Sequence, residues 1–308
     1  MKGFIRSVVL FMLFSLVFYV FALFLGDFLL PTSLKPNVYY EKGSYGHMFS
    51  RIQELKKTDD VDILVLGSSH SYRGFDPRIF KNELSKDLKF FNLGSSSQTP
   101  IQTEVLLTRH LEKLNPGIII YEVYPNIFLS DGVESSLDII SSDRNDINSF
   151  LMTLKVNNIK AWNTLIVGYI RDLLNIDASF AEPEKKNGDT YIPGGYVQKD
   201  TGSKTDMTFL KVKGEFNKEQ INAFERCLSM IREKNIRLIL VSAPVTSSLY
   251  NSYSNVEEFN KIMSAAKEYY NFNEIMKMDD SLHFYDAHHL NQNGVEKFNR
   301  QFISTVLK

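Results

Sequence analysis

The sequence predicts an α/β domain of three layers, in which a parallel five-stranded sheet lies between two layers of helices, with one transmembrane helix ahead of it. Short apolar runs alternate with amphipathic stretches along most of the chain, which is typical of a parallel sheet with helices on both faces. Of the 308 residues, 44% are hydrophobic, which suffices for a domain with a substantial core. The first 30 residues differ from the rest because they contain one long apolar run.

The N-terminal run predicts a membrane anchor. Residues 8–25 are apolar apart from Ser15, and about 18 helical residues at about 1.5 Å each span roughly 27 Å, close to the hydrocarbon thickness of a bilayer. Lys2 and Arg6 precede the run and Asp27 is the first charge after it, so the positive-inside rule puts the N-terminus in the cytoplasm and the rest of the chain outside. A cleaved signal peptide is the alternative, but the run is longer than a usual signal-peptide core and lacks a clear cleavage site. We therefore expect an uncleaved, single-pass anchor.

This anchor, residues 1–30, is followed by two further predicted regions. Residues 31–60 predict a linker with an amphipathic lead-in, and residues 61–308 predict the α/β domain. Residues 128–207 break the alternation of strands and helices, because a helical stretch is followed there by a polar, turn-rich one. We expect this part to be an insertion over the edge or mouth of the sheet.

Five strands and six helices follow from the pattern within the domain. Short apolar runs that end at turns predict the strands Val61–Leu66, Lys89–Leu93, Ile118–Tyr121, Ile236–Ser242 and Leu282–Tyr285. Longer amphipathic stretches predict the helices Pro77–Leu84, Ile101–Leu114, Ile147–Asn175, Asn217–Lys234, Val256–Tyr270 and Gly294–Leu307.

Small, polar and titratable residues follow four of the predicted strands. They form the segments Gly67-Ser68-Ser69-His70-Ser71, Asn92-Leu93-Gly94-Ser95, Glu122-Val123-Tyr124-Pro125-Asn126 and Asp286-Ala287-His288-His289-Leu290-Asn291. Ligands of open parallel sheets bind beyond the carboxyl ends of the strands, so these segments are expected to converge on one site.

The residue types in these segments suit acyl-transfer chemistry. A serine nucleophile needs a base within hydrogen-bond reach, and an imidazole needs an acid to orient it. Ser69 is the candidate nucleophile, His289 the base and Asp286 the orienting acid, because residues three apart in a helical turn share a face. The Ser69 N–H, the Gly94 N–H and the side-chain amide of Asn126 are the candidate donors to the oxyanion. Glycine at position 94 would let the backbone approach a reacting carbonyl closely.

Three neighbouring residues have open roles. His288 is an alternative base to His289. His70 is expected to be a pocket wall or a substrate contact. Arg73 either forms an ion pair with Asp76 that fixes the turn or contacts an anionic polymer.

No cofactor, metal or nucleic acid is expected. The triad chemistry requires no cofactor. His288 and His289 are adjacent rather than spaced for helical metal binding, and no cysteine lies near His70 or His283, so we expect no metal site. Lys and Arg total 35 against 36 Asp and Glu, which leaves no basic excess for nucleic acid. The single cysteine rules out an internal disulfide.

These segments resemble the blocks of the SGNH hydrolase superfamily, the GDSL-type esterases and their transferase relatives, from about Val61 to the C-terminus outside the insertion. Gly67-Ser68-Ser69 is similar to the family's Gly-Asp-Ser, with Ser68 in place of Asp, and Asn92-Leu93-Gly94 matches Asn-x-Gly. Asn126 matches the third block loosely, since Pro125 replaces the usual Gly. Asp286-Ala287-His288-His289-Leu290-Asn291 matches the last block well. The resemblance implies a flavodoxin-like sheet and a Ser69–His289–Asp286 triad.

Gly-Ser-Ser together with one N-terminal anchor is similar to a particular branch, the D-alanine-transfer protein of lipoteichoic acid synthesis and the alginate O-acetylation proteins. This resemblance implies a bacterial enzyme outside the cytoplasmic membrane, a serine esterase or O-acyltransferase acting on a cell-envelope polysaccharide or related polymer. It also implies a membrane-bound O-acyltransferase as partner. The alternative is a catalytically inactive module that binds the polymer or docks the acyltransferase.

Overall fold

A five-stranded parallel sheet organises the structure. The computed structural model describes residues 1–31, 34–35, 37–199, 211 and 214–308. Its strands are β1 (Ile63–Leu66), β2 (Phe90–Asn92), β3 (Ile118–Glu122), β4 (Lys185–Lys186), β5 (Asp189–Ile192), β6 (Tyr196–Lys199), β7 (Arg237–Ser242) and β8 (Tyr269–Asn271). The main sheet has the order β2-β1-β3-β7-β8, and all its pairs are parallel. Strands β4, β5 and β6 form a separate antiparallel sheet.

Helices cover both faces of the main sheet. They are α1 (Lys2–Leu29), α2 (Met48–Leu55), α3 (Ser69–Gly74), α4 (Pro77–Glu83), α5 (Pro100–Leu114), α6 (Pro125–Leu129), α7 (Val133–Ser142), α8 (Ile147–Val156), α9 (Ile159–Leu173), α10 (Lys218–Glu233), α11 (Ser247–Tyr250), α12 (Val256–Met263), α13 (Phe272–Ile275), α14 (Asp280–His283) and α15 (Gln292–Phe302), which continues as a π-helical turn (Ile303–Leu307).

Successive residues of the buried strands alternate between two hydrophobic clusters. Leu64 and Leu66 join a cluster with α1, α2, α5, α9, α10 and α12. Ile63 and Val65 join a second cluster with α4, α13 and α15. Because side chains of a strand point to opposite faces in turn, the two clusters are the two sides of one sheet. The predicted three-layer α/β fold with a five-stranded parallel sheet is therefore confirmed.

The fifth strand was predicted in the wrong place. Residues 282–285 do not pair with the main sheet: helix α14 ends at His283, and Phe284 makes one isolated antiparallel bridge with Leu290. The fifth strand is instead β8, within the stretch predicted as the helix Val256–Tyr270. Helix α12 ends at Met263, and the three residues of β8 then pair with β7 and form the edge of the sheet.

The long helix predicted over residues 147–175 is two helices. Asn157 adopts a left-handed conformation with φ of 48°, which ends α8, and the Asn158 side chain accepts a hydrogen bond from the Lys160 N–H and starts α9. Asparagine favours both positions because it tolerates positive φ and its side chain caps free amides.

The segment predicted as a linker contributes to the core. Helix α2 lies within it, and Met48, Ile52 and Leu55 are fully buried against the main sheet. The amphipathic lead-in is thus part of the domain. Arg51 on the same helix is also buried, and it donates to the carbonyl oxygens of Gly46 and Gly195 at 3.0 Å each.

Helix α1 is long and apolar enough to cross a membrane. Its side chains are exposed from Met1 to Phe14, whereas Leu23 and Asp27 near its end are buried against the domain. Asp27 pairs with Lys35 at 2.7 Å and with Arg171 of α9 at 3.1 Å. The end of α1 is therefore fixed to the domain by a buried, doubly paired carboxylate.

The predicted insertion contains α7, α8, α9 and the small sheet, and its residues 200–207 lie outside the described residues. The turn between β5 and β6 meets the edge of the main sheet, where the Asn92 N–H donates to the Gly194 oxygen at 2.9 Å. The next residue, Gly195, has φ of 82°, and a Cβ there would lie 2.2 Å from the Asn92 oxygen. Part of the insertion thus lies against the β2 edge of the sheet.

We expect Gly195→Ala to lower the free energy of unfolding by about 2–4 kcal/mol, because the side chain adds both strain at positive φ and a clash with the β2 backbone. Urea unfolding of the detergent-solubilised chain, followed by circular dichroism, measures the change. Gly117→Ala is the control, since a Cβ there meets its nearest neighbour, the Asp62 oxygen, at an ordinary 3.5 Å. Equal stabilities of the two variants would contradict this account of the edge.

Candidate active site

The turn after β1 presents Ser69 at the start of a helix. Gly67 has φ of 133°, and a Cβ there would lie 2.7 Å from Glu122 Oε2, so only glycine fits this position. The Ser68 hydroxyl caps α3 by accepting a hydrogen bond from the His70 N–H at 3.3 Å. Ser69 is then the first residue of α3 and is half-buried. The turn therefore delivers an accessible hydroxyl at the carboxyl end of a central strand.

The structure brings Ser69, His289 and Asp286 into one chain of hydrogen bonds. Ser69 Oγ lies 2.7 Å from His289 Nε2, and His289 Nδ1 lies 2.7 Å from Asp286 Oδ2. Asp286 Oδ1 accepts from the backbone N–H groups of His288 and His289, which fixes the turn between acid and base. The Tyr285 ring stacks on the His289 imidazole at a centroid distance of 5.4 Å. This is the arrangement that activates a serine hydroxyl.

The charges of this chain suit proton acceptance from the serine. Burial opposes ionisation of Asp286, but hydrogen bonds and charge interactions with His289 outweigh it and hold the pKa of Asp286 well below its usual range. Burial lowers the pKa of His289 to about 4, although Asp286 acts in the opposite direction. At neutral pH the imidazole is neutral, its Nδ1–H donates to Asp286, and Nε2 is left to accept the Ser69 proton.

His288, the alternative base, does not reach Ser69 Oγ. Its Nδ1 lies 3.2 Å from His70 Nε2, while its ring lies against His289 at a centroid distance of 3.9 Å. Burial, together with the neighbouring His289 and His70, lowers the pKa of His288 to about 3. The geometry therefore favours His289 over His288 as the partner of Ser69.

A second carboxylate–histidine pair lies behind the serine turn. Glu122 at the end of β3 is fully buried, and its Oε2 accepts from the Ser68 N–H at 3.0 Å and from the Ser68 hydroxyl at 2.9 Å. Glu122 Oε1 lies 3.3 Å from His70 Nδ1. A carboxylate that accepts on both oxygens assigns Nδ1–H to His70, so the hydrogen between His70 and His288 belongs to His288.

His70 was expected on the wall of the pocket or in contact with substrate. Its side chain is instead almost fully buried between Glu122 and His288, with the Tyr124 ring at a centroid distance of 4.3 Å. It therefore lies behind the site and supports His288 rather than facing a ligand.

Arg73 forms its ion pair with the insertion and does not fix the turn after β1. Its guanidinium makes two hydrogen bonds with Asp189 of β5, at 3.0 and 2.7 Å. The predicted ion pair of Arg73 with Asp76 does not form, because Asp76 pairs with Arg78 and caps α4. With both carboxylate oxygens of Asp189 engaged, Arg73 ties α3 to the small sheet instead of meeting an anionic polymer.

The three candidate oxyanion donors differ in availability. The Ser69 N–H is the first amide of α3, and helical geometry leaves that amide without a partner in its own helix. The Gly94 N–H already donates to the Asn92 side-chain oxygen at 3.0 Å. A Cβ at Gly94 would lie 2.0 Å from Ser71 Oγ, so the glycine makes room for the serine turn.

Asn126 lies on α6, just beyond β3. Its side-chain oxygen is buried and has no hydrogen-bond partner among the residues the structure describes. A buried amide oxygen without a partner is costly, and such an atom in a native structure points to a role or a bound molecule. The oxyanion assignments of Ser69, Gly94 and Asn126 stay predictions.

His70, His288 and His289 place three nitrogens within 4.8 Å of one another, a spacing that a metal ion could use. Hydrogen bonds already engage both nitrogens of His70 and both of His289. A metal ion at this position would have to displace the contact between His289 and Ser69. The cluster is therefore better described as a hydrogen-bonded array that stabilises the imidazole on Ser69.

Sequence reasoning overlooked the role of Glu122. The feature of the sequence that could have revealed this role is a carboxylate at the end of the strand Ile118–Glu122, whose other residues are apolar or aromatic. A buried carboxylate requires several donors, and the neighbouring strand end supplies Ser68 and His70.

Comparisons with known proteins give matches at low sequence identity only. No protein-family model and no curated protein matches the sequence. The crystal structures that match the chain include the following three. A provisionally named acylhydrolase from Bacteroides fragilis has 11% identity and a TM-score of 0.42, with 86% of this chain and 99% of that one covered. A GDSL-like lipase from Bacteroides thetaiotaomicron has 11% identity and a TM-score of 0.39, with 85% and 98% covered. A provisionally named GDSL-like lipase from Parabacteroides merdae has 13% identity and a TM-score of 0.27, with 82% and 99% covered.

We expect the free energy of unfolding of the His288→Gln variant to fall less steeply with decreasing pH than that of the wild type. The unfolded chain binds a proton at this imidazole near its ordinary pKa of 6.5, whereas the folded chain does not until about pH 3. Between these values the unfolded state holds more protons, so stability falls as the pH falls. Urea unfolding from pH 7 to pH 4.5 should show a slope smaller by up to about 1.4 kcal/mol per pH unit in the variant. An unchanged slope would mean that His288 is protonated in the folded chain.

Proposed function

We propose that this chain is a serine esterase or O-acyltransferase of the SGNH type, with Ser69 as nucleophile, His289 as general base and Asp286 as the acid that orients it. The observation that carries the proposal is the continuous hydrogen-bond chain from Asp286 through His289 to Ser69 Oγ, with 2.7 Å at each step. A serine packed for stability alone has no need of a neutral, carboxylate-oriented imidazole at this distance.

The reaction proceeds in two transfers. Ser69 Oγ forms a bond to the acyl carbonyl while its proton moves to His289 Nε2, and the oxyanion is held by the Ser69 N–H and the Asn126 amide. The bond to the leaving oxygen then breaks, and His289 gives that oxygen the proton, which leaves an acyl ester on Ser69. An acceptor hydroxyl then gives its proton to His289 and attacks, so that the bond to Ser69 Oγ breaks and the proton returns to the serine. With water as acceptor the product is a free acid, and with a sugar hydroxyl it is a new ester.

The setting of the reaction is proposed from the sequence blocks and from helix α1. The Gly-Ser-Ser turn with one apolar N-terminal helix is similar to the envelope-polymer branch of the superfamily, which implies an anchored domain outside the cytoplasmic membrane. We propose that the acceptor or substrate is a cell-envelope polysaccharide or related polymer. A membrane-bound O-acyltransferase is the proposed source of the acyl group.

One observation favours the alternative of a binding module without turnover. The Gly94 N–H is engaged by Asn92, so one of the three expected oxyanion donors is occupied in this state. The assembled triad favours the enzyme, because a binding module has no use for the short contact between His289 and Ser69.

Ser69→Ala should lower kcat/KM for a fluorogenic acetyl ester by about 10³-fold or more, since it removes the nucleophile. Ser229→Ala on α10 is the control, because its exposed hydroxyl only bonds the Glu225 carbonyl of its own helix. A serine-directed phosphonofluoridate probe should label the wild type and the Ser229→Ala protein, and not Ser69→Ala. A properly folded wild type that resists the probe would favour the binding module.

The acid limit of activity should lie unusually low. Because the pKa of His289 is about 4, the base stays neutral and kcat/KM should remain constant from pH 8 to about pH 5, then fall in more acidic buffer. Pre-incubation at pH 4 followed by assay at pH 7 separates this loss from unfolding. A midpoint near the ordinary histidine value of 6.5 would contradict the lowered pKa of His289 and leave its role as base intact.

A further inference from the structure

Helix α8 turns an apolar stripe away from the domain. Its apolar side chains at positions i, i+3, i+4 and i+7 face outward, with exposures of 65% at Ile147, 41% at Phe150, 44% at Leu151 and 53% at Leu154. The buried residues of the helix are Ser149, Met152 and Thr153, so two of the three are polar. Soluble helices bury the apolar stripe, so the reversed pattern indicates an apolar surrounding.

Polar contacts fix this orientation. Arg109 of α5, whose side chain is fully buried, donates to Asp146 at 2.6 Å and to Ser149 at 2.7 Å. The buried Thr153 hydroxyl is satisfied within the helix, since it donates to the Ser149 carbonyl at 2.8 Å. If the apolar stripe turned inward, the buried Arg109 would lose its hydrogen bonds to Asp146 and Ser149. The polar contacts therefore stabilise the orientation in which the apolar face is exposed.

Helices α8 and α9 form an antiparallel hairpin whose tip is Asn157. The Tyr169 hydroxyl of α9 donates to the Asp146 carbonyl at the start of α8, and the Phe150 and Trp162 rings meet at a centroid distance of 5.3 Å. Only Asn157 and Asn158 separate the end of α8 from the start of α9. Leu154 and the exposed Ile159 flank the polar turn Asn157-Asn158, and the adjacent Lys155 is paired with Glu104 at 2.7 Å.

The hairpin lies alongside α1 with its tip toward the N-terminus of the chain. The Tyr19 hydroxyl donates to the Asn163 side chain at 2.7 Å, and Asp27 pairs with Arg171. Both members of the second pair lie eight positions beyond those of the first, so α1 and α9 run in the same direction.

The apolar run of α1 overlaps the part of the helix that the hairpin flanks. Large exposed apolar side chains continue along α1 to Phe21 and Leu25, beyond Tyr19, which bonds Asn163 of α9. The run from residue 8 to residue 25 spans roughly 27 Å at about 1.5 Å per residue, close to the hydrocarbon thickness of about 30 Å. If this run spans the bilayer, hydrocarbon surrounds α1 from Tyr19 to Leu25 and the start of α9 beside it.

We propose that the tip of the α8–α9 hairpin is immersed in the outer leaflet, with the stripe of α8 and Ile159 in contact with lipid acyl chains. The inference rests on the proposed anchoring by α1 and adds a second membrane contact to it. Trp162, the single tryptophan of the chain, is half-buried beside Phe150 and lies three positions beyond Ile159. Trp162 adjoins Asn163, which bonds Tyr19, so the proposal places it in the outer half of the hydrocarbon, toward the interface that tryptophan favours.

Tryptophan fluorescence tests this in vesicles that contain only the full-length chain and phosphatidylcholine, with or without bromine on the acyl chains near the headgroups. The wild type should lose roughly half of its emission or more in brominated vesicles, because the proposal places Trp162 in the outer leaflet within reach of the bromine. Two reference proteins carry Trp162→Phe, so that the only tryptophan in each is one introduced at another position. Phe14→Trp in that background reports on α1 and should be quenched. Gln301→Trp, on the exposed side of α15 across the sheet, should not be quenched.

Leu151→Glu with Leu154→Glu should reduce the quenching of Trp162, since charge at these positions opposes immersion. The proposal is overturned if the Phe14→Trp reference is quenched while Trp162 responds as weakly as the Gln301→Trp reference. In that case the apolar stripe of α8 would be better explained as a binding surface for another protein, which the vesicles do not contain. Absence of quenching in the Phe14→Trp reference would overturn the membrane span of α1 and the hairpin inference together, which separates the two failures.

Discussion

The buried carboxylate of Glu122 is the constraint on which the site depends. An ion without solvent must be surrounded by donors, and three donors come from the turn after β1: the N–H and hydroxyl of Ser68 and the ring of His70. These contacts fix the path of the turn, and the Glu122 side chain also leaves no room for a Cβ at Gly67. The position of Ser69 is thus fixed by Glu122 at the end of the neighbouring strand β3.

The same carboxylate connects the serine turn to the turn that carries His289. Glu122 orients His70, His70 receives the Nδ1–H of His288, and His288 packs its ring on His289. Asp286 orients His289 from the other side. The imidazole next to Ser69 is held between two carboxylate-anchored supports, so its ring has little freedom to turn away from the hydroxyl. Preorganisation of this kind lowers the cost of reaching the reactive geometry.

The proximity of Ser69, Asp286 and His289 was predictable because each lies next to a strong local signal. A buried strand that ends in Gly67-Ser68-Ser69 and an Asp-x-x-His turn are patterns within a few residues. Glu122 and His70 were harder, since their contact depends on the register of β1 against β3 and on burial, which a single sequence does not contain. Strand β8 was missed because three residues at a sheet edge carry no pattern of their own. Helix α8 has a clear apolar stripe, but its periodicity says nothing about which side of the helix faces the domain.

The insertion connects these parts into one mechanical unit. Arg73 ties α3, and with it Ser69, to β5, while the Gly194 carbonyl and the close approach of Gly195 fix the β5–β6 turn to β2. Arg51 binds the same turn from α2. On the other side of the insertion, α9 pairs with α1 through Asn163 and Arg171. In the proposed setting, with α1 in a bilayer, these contacts would restrain the orientation of the whole sheet and present Ser69 at a defined height above the membrane. The proposed transfer from a membrane-bound acyl donor would benefit, because a fixed height removes part of the orientational search that each transfer otherwise requires.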